Sequence, residues 1–160
     1  MRPKTKQRLL ILAAIVAAFV FLVGAGVYVR RGMQQRKLIA ARDLGLAEFA
    51  QGKYEQACSD LAVYLLPSDN RHDPDVIYKF ALSHLLAADG NHEHWEVAKN
   101  WFQVHLAVKP GDIESWKHLL DLYARLGRIT EALGAADQVL RVEPANVAAL
   151  RTKIECQVLL

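Results

Sequence analysis

The sequence predicts an all-α chain in which one N-terminal transmembrane helix precedes an α-solenoid of about three helix pairs and a partial fourth. Three observations predict it. Leu9 to Val29 is a run of 21 residues without a charge or an amide. Beyond it, small residues and prolines return at a spacing of 34 residues, Ala98 to Ala132 and Pro110 to Pro144. Between those markers apolar residues recur every three or four positions, the period of a helix with one buried face. With 160 residues, 52% of them apolar, the chain allows one modest domain and is too apolar to be disordered.

Residues 1–8 form a basic tail carrying Arg2, Lys4, Lys6 and Arg8. Residues 9–29, as a helix, would be about 32 Å long, against a hydrocarbon core about 30 Å thick. A soluble helix keeps a polar stripe and this run has none, so it is expected in a lipid bilayer. Tyr28 suits an interfacial ring, and Arg30 and Arg31 a snorkelling flank. The competing reading is a cleaved signal peptide, with Gly24 or Gly26 at the processing site. The run is long for that, and two arginines come directly after it, which favours an uncleaved anchor. Ala14 and Ala18, one turn apart, would let a second such helix approach, which leaves homo- or hetero-oligomers open. Residues 30–37 form a basic juxtamembrane segment, and no Ser/Pro-rich linker separates it from the repeats.

Charge is divided along the chain. Residues 1–42 hold nine Lys/Arg and no acid, leaving eleven basic and seventeen acidic groups in the other 118 residues, a formal −6. An acidic body argues against nucleic-acid binding.

Residues 38–160 carry the repeats, approximately 38–71, 74–112, 113–146 and a partial copy at 147–160. "IESWKHLLDLYARLG" aligns Trp116, Leu119, Leu120 and Tyr123 on one stripe, and "ITEALGAADQVLRV" aligns Ile129, Ala132, Ala136 and Val139. Asp112 is placed to cap the first of these helices, Gly127 to turn between them, and Pro144 to end the second. Ala57 to Ala98 is 41 residues, so the middle copy carries seven extra residues, divided in some way between "PSDNRHDPD" and "AADGNHEH". In the last copy Leu150 and Ile154 fall at core-like places. A small residue at Ala57, Ala98 and Ala132 would let paired helices approach closely, and stacked pairs would then bury one another's apolar faces.

These residues resemble the tetratricopeptide repeat family, a 34-residue helix pair. Counted from Ile113, the third copy matches at Trp116, Leu119, Tyr123, Gly127, Ala132 and Pro144, and departs at Leu120, where the family has Gly. The first copy, counted from Leu38, matches at Leu44, Gly45, Gly52, Tyr54 and Ala57, has Ala41 and Glu48 where aromatic residues belong, and reaches Pro67 two residues early. The middle copy keeps Trp95, Ala98, Phe102 and Pro110. The resemblance covers about three-quarters of the chain. It implies a non-catalytic scaffold that binds protein partners on a concave groove lined by the first helices. The positions it implies are Ile39, Arg42, Leu46 and Phe49 in the first copy, and Glu114, Lys117, Asp121 and Ala124 in the third. Members that grip a C-terminal carboxylate need basic residues and an Asn at set places. Arg42 fits one of these places, but Leu46 stands where the Asn belongs and Glu114 and His118 where basic residues are needed, which argues against that clamp.

Nothing in the sequence requires chemistry. His92, Glu93 and His94 could hold a metal ion, but lack a fourth ligand and read more simply as a polar turn at a helix start. His84 and His105 lie in helical stretches. His72, Asp73 and Asp75 have no nucleophile in recognisable context, and no phosphate loop or dinucleotide fingerprint occurs. The chain is expected to be no enzyme and to hold no cofactor or metal. Cys58 and Cys156, separated by nearly three repeats, are expected to be unpaired.

Two functions are expected: a membrane-anchored scaffold that assembles protein partners or, alternatively, a permanent structural subunit of a larger membrane complex. The apolar end Val158–Leu159–Leu160 is expected to be covered by a further helix or a partner. A basic eight-residue leader ahead of an apolar run reads as a signal-anchor. That expectation places the N-terminus in the cytoplasm and the repeats outside the inner membrane, in the periplasm if the source is a bacterium.

Overall fold

In the computed structural model residues 3–87 and 91–159 are described, with side chains described from residue 21 onward except 23 and 159. Seven α-helices succeed one another among the described residues: α1 (Pro3–Ala50), α2 (Tyr54–Leu65), α3 (Pro74–Ala87), α4 (His92–Val108), α5 (Ile113–Arg125), α6 (Ile129–Val142) and α7 (Val147–Leu159). A 3-10 turn, Ser68–His72, stands between α2 and α3. No strand is present among the described residues.

The chain divides into two units, 1–40 and 41–160. The first is helical from Pro3. The expected membrane run, with Ala14 and Ala18, falls largely outside the residues whose side chains are described. No helix among the described residues is long and apolar enough to cross a membrane. At the near end of the run Phe21, Leu22 and Tyr28 stand exposed.

The second unit is the repeat array. It starts with the last turns of α1, and each helix from α2 onward packs against its successor, while α5 also meets α7. Pairs therefore stack so that the first helices of neighbouring copies come side by side. The small residues expected at the pair crossings are buried: Ala57, Ala98 and Ala132 are 0–1% exposed. Gly45 makes the first crossing closer still. A Cβ there would lie 2.8 Å from Cγ and Cδ2 of Leu61, itself fully buried, so only Gly fits beneath that side chain.

The turns repeat as the helices do. At the helix–helix turns Gly52 and Gly127 take φ of +74° and +67°, the left-handed region that favours glycine. Each is accompanied by the same pair of bonds: Lys53 N–H donates to Glu48 O and Gly52 N–H to Phe49 O, and Arg128 N–H to Tyr123 O and Gly127 N–H to Ala124 O. This is the Schellman arrangement, which satisfies the last carbonyls of the first helix. At the turns between pairs, Asp73, Asp112 and Asn146 accept from the backbone N–H three residues on, at Val76, Ser115 and Ala149.

These caps locate the inserted residues, which fall in both candidate stretches. The α2–α3 connection is eight residues long, against four for α4–α5 and α6–α7. In addition α4 begins six residues before Ala98, whereas α2 and α6 begin three before Ala57 and Ala132. The extra turn is the "HEH" stretch, capped by Asn91, whose side chain accepts from Glu93 N–H at 3.0 Å.

The last copy departs from expectation. Leu150 and Ile154 are 41% and 62% exposed, and the buried residues of α7 are Ala149 and Cys156. Ala149 and Cys156 face α6, the preceding pair. Leu150 and Ile154 align with Trp116 and Leu120 of the third copy, which pack on the core there, and no second helix succeeds α7 among the described residues. Val147 and Val158 continue this bare stripe at 77% and 80% exposure. Leu160 and the Leu159 side chain lie outside the described residues.

Two core clusters result. Cys58, Leu61, Leu65, Val76, Ile77 and Phe80 form the first, at the α2–α3 contact. The second runs from Ala81 and Phe102 through Leu119, Leu122 and Tyr123 to Val139 and Cys156. Trp101 packs against both. Cys58 and Cys156 are buried and unpaired, in different clusters.

Candidate functional site

The candidate surface is built on the first helices of the pairs. In α5 the buried stripe fixes which side chains face outward. With Leu119, Leu122 and Tyr123 turned inward, Glu114, Lys117, Asp121 and Ala124 are left on the other side. Clefts open on both flanks of this helix. One, of about 310 Å³, is lined by Glu114 and Asp112 with Asp75, Tyr78 and Lys79 of α3. The other, of about 220 Å³, is lined by Lys117, Asp121 and Ala124 with Asn146, Ala148 and Thr152. The third-copy residues singled out from sequence thus share one face, between two clefts.

The charges on this face are paired. Lys117 Nζ lies 2.9 Å from Glu114 and 2.7 Å from Glu143 of the next turn. Hydrogen bonding to Glu143, then to Glu114, holds its ammonium above the usual range, and the same bond holds the Glu143 carboxyl below its own. Asp121 pairs with Arg125 at 2.8 Å. These pairs are largely exposed, so each contributes little to stability; they fix where the charges sit.

Tyr78, His105 and Asp112, which line the first cleft, belong to an aromatic and polar network. Tyr78 Oη and His118 Nε2 are 3.2 Å apart, and the His118 ring stacks on Phe102 at 4.9 Å. Beneath them the buried His105 Nδ1 meets Ser115 Oγ at 2.8 Å, and Asp112 accepts from Ser115 N–H at 2.9 Å. Burial keeps His105 and His118 below the ordinary imidazole value, against the opposing pull of Asp112 on the first and of Glu114, then Asp121, on the second. Burial, then the neighbouring Asp112 and Glu114 carboxylates, raise the Tyr78 hydroxyl. Ser115 is fully buried and bonded within the fold, so its hydroxyl serves as a packing contact between α4 and α5.

The first-copy residues are disposed differently. Arg42 Nε is 3.4 Å from Asp73, and its guanidinium lies 5.9 Å from the Tyr64 ring centre, whose hydroxyl donates to the same aspartate. Leu46 packs against the first core cluster, and Phe49 meets Tyr54 edge-on at 5.7 Å. Arg42, Leu46 and Phe49 line neither cleft beside α5. Asp75, Tyr78 and Lys79 escape a reading of the sequence because the insertion hides the register of the middle copy. The signal is Asp73: as the cap before Pro74, it makes Asp75 and Tyr78 the second and fifth residues of that first helix, as Glu114 and Lys117 are of α5. Among the described residues no group of three potential ligands converges to hold a metal.

No family model matches the chain, and no curated protein matches it in sequence. Solved structures do match its shape. The second tetratricopeptide domain of human RPAP3, in complex with the HSP70 peptide SGPTIEEVD, has a TM-score of 0.58 at 18% identity, covering 78% of this chain and 98% of that one. The Arabidopsis OM64 tetratricopeptide domain has 0.60 at 12% identity, covering 79% and 99%. PcrH, in complex with the chaperone-binding region of PopD, has 0.53 at 14% identity, covering 79% and 90%. The fold of the repeat unit is therefore the tetratricopeptide solenoid.

Proposed function

We propose that this protein is a membrane-anchored, non-catalytic scaffold that holds a segment of a partner protein along the first-helix face of its repeats. The observation that carries the reading is the face of α5, where Glu114, Lys117 and Asp121 stand between two clefts. The human RPAP3 domain and PcrH, of the same fold, are each seen holding a peptide segment. The segment is not a free C-terminal carboxylate. Arg42 is already engaged by Asp73 and Tyr64, Leu46 faces the core, and the α5 face presents carboxylates. A ligand of mixed charge suits the alternating Glu114, Lys117 and Asp121.

A photo-crosslinking residue at Asp121 tests this in cells, with one at the exposed Arg141 of α6 as control. Discrete adducts from position 121 and none from 141 are expected. Equal adducts from both, or none from 121, would sink the reading. The second reading, a permanent structural subunit, is favoured by the bare stripe Val147, Leu150, Ile154 and Val158. Solubilised complexes distinguish them. A scaffold's partners are salt-labile and substoichiometric, whereas a subunit's keep fixed stoichiometry.

The anchor is residues 9–29, with the N-terminus cytoplasmic and the repeats outside, periplasmic in a bacterial source. The native thiols make poor reporters. Cys58 is 7% exposed and pushed up to about 12 by burial and then Glu55, and Cys156 is 5% exposed. Asn100 is exposed, so Asn100→Cys is the reporter of choice. A membrane-impermeant maleimide should label it in intact cells or spheroplasts. Labelling only after permeabilisation would place the domain in the cytoplasm.

A further inference from the structure

The extra turn at the start of α4 brings a second imidazole to α3. His84 of α3 and His94 of α4 face one another with their Nδ1 atoms 3.2 Å apart, ring centres 5.1 Å apart and ring planes at 48°. Both rings are half-buried, and Phe80 meets His84 edge-on at 4.7 Å, which fixes its orientation. We propose that His84 and His94 form a two-histidine site for a late first-row divalent cation such as Cu²⁺ or Ni²⁺, with solvent filling the remaining coordination positions.

The geometry suits an ion better than it suits a linear hydrogen bond. Imidazole–metal bonds are about 2.0–2.1 Å, and two such bonds to nitrogens at the observed spacing meet at an angle of roughly 100°. That lies between the cis angle of an octahedral site and the angle of a tetrahedral one. With both lone pairs aimed at one ion at that bond length, the ring centres would be about 5.0 Å apart. Rings pointing straight at each other along the N···N line would stand about 5.5 Å apart on the same dimensions. The observed separation is close to the first. Loading requires only that each ring carry its proton on Nε2, which frees both Nδ1 lone pairs. Imidazole suits copper, nickel and zinc, and among divalent ions copper binds such a pair tightest. His92 is not part of the site, since its ring packs on Trp95 at 5.2 Å.

The insertion makes this pairing possible. His94 lies on the turn by which α4 exceeds α2 and α6 ahead of its buried alanine, so neither of the other pairs has a counterpart. A bound ion would tie α3 to α4 near the end of α3 and the start of α4.

The test is titration of the full, untagged chain with Cu²⁺ alone, read by electron paramagnetic resonance for coordinated nitrogen and by the thermal midpoint with Ni²⁺. One equivalent of Cu²⁺ coordinated by two imidazole nitrogens is expected, together with a rise in midpoint on adding Ni²⁺. His94→Gln should weaken binding at least about tenfold, the low end of what losing even an outer-shell partner costs a metal site. His84→Asn should do the same. If that variant unfolds, His94→Gln decides alone, because its side chain lies in the first turn of α4. His92→Gln and His72→Gln should bind as the parent does. No saturable binding, unchanged binding in His94→Gln, or loss in His92→Gln would each overturn the assignment.

Discussion

The turn between the first and second pairs and the turn between the second and third do the same job by different means. The α4–α5 turn is short. Lys109 N–H donates to His105 O at 2.7 Å and Asp112 caps α5, and the α6–α7 turn repeats this with Glu143 N–H donating to Val139 O and Asn146 capping, Glu143 having nearly the same dihedral angles as Lys109. The α2–α3 turn is twice as long, and side chains from its 3-10 segment replace the missing backbone bonds. Asn70 Nδ2 donates to Tyr64 O at 2.7 Å and Arg71 Nε to Leu65 O at 3.3 Å, satisfying the last carbonyls of α2. Both turns end in the same capping aspartate. The array thus depends on how a turn begins and ends, and the length between is free if its orphan carbonyls find donors.

The largest effect is expected at a crossing rather than a turn. Ala132→Leu should overpack α5 against α6 and cost about 1–3 kcal/mol in chemical denaturation. If it melts like the parent, the assignment of Ala132 to the crossing is wrong. Next come the glycine turns. Gly127→Ala and Gly52→Ala should each cost about 1–2 kcal/mol, the penalty of the left-handed region for a side chain, since no atom lies near either position to add a clash. A large difference between the two would show that the turns are not equivalent.

The caps sharpen the comparison directly. Asp112→Ala should cost about 1 kcal/mol through its cap. Asp73→Ala should cost more, because that carboxylate also receives Arg42 and Tyr64. Equal losses in thermal midpoint would mean that the longer turn gains nothing from those contacts. Within α6, Gly134 has open space around its Cβ position, so Gly134→Ala should stabilise by about 0.5–1 kcal/mol. The same change at Gly45 meets Leu61 and should not. The gentlest perturbation is mild acid. His105 and His118 have folded values below the ordinary imidazole value near 6.5, so the unfolded chain binds more protons as pH falls through that value. Stability should therefore decline from pH 7 toward pH 5, with solvent screening limiting the loss at His118, whose ring is only partly buried.

The third copy is legible in the sequence because its markers report backbone geometry: Gly127 for a positive φ, Asp112 for a cap, Ala132 for a crossing. The first copy is legible for the same reason through Gly45, Gly52 and Ala57. The placement of the seven extra residues is not, since polar loop residues carry no periodicity. The exposure of Leu150 and Ile154 escapes for another reason. Helical period says which residues share a face, and only neighbouring helices say whether that face is covered. The resemblance to the tetratricopeptide repeat singles out Glu114, Lys117 and Asp121, and helical period puts them together on one face of α5. Period is silent on Arg42, whose partner Asp73 closes the inserted turn that carries no period.

The bare side of α7 also has a consequence for local opening. In a stacked array each unit is stabilised by its neighbours, and among the described residues α7 has packed neighbours on one side only. With that side bare, backbone amide exchange should be faster in α7 than in α4 and α5, so that α7 opens without global unfolding. A molecule that lays an apolar face on Val147, Ile154 and Val158 would slow exchange in α7 first. The protection gradient would then report occupancy of that stripe in the intact protein.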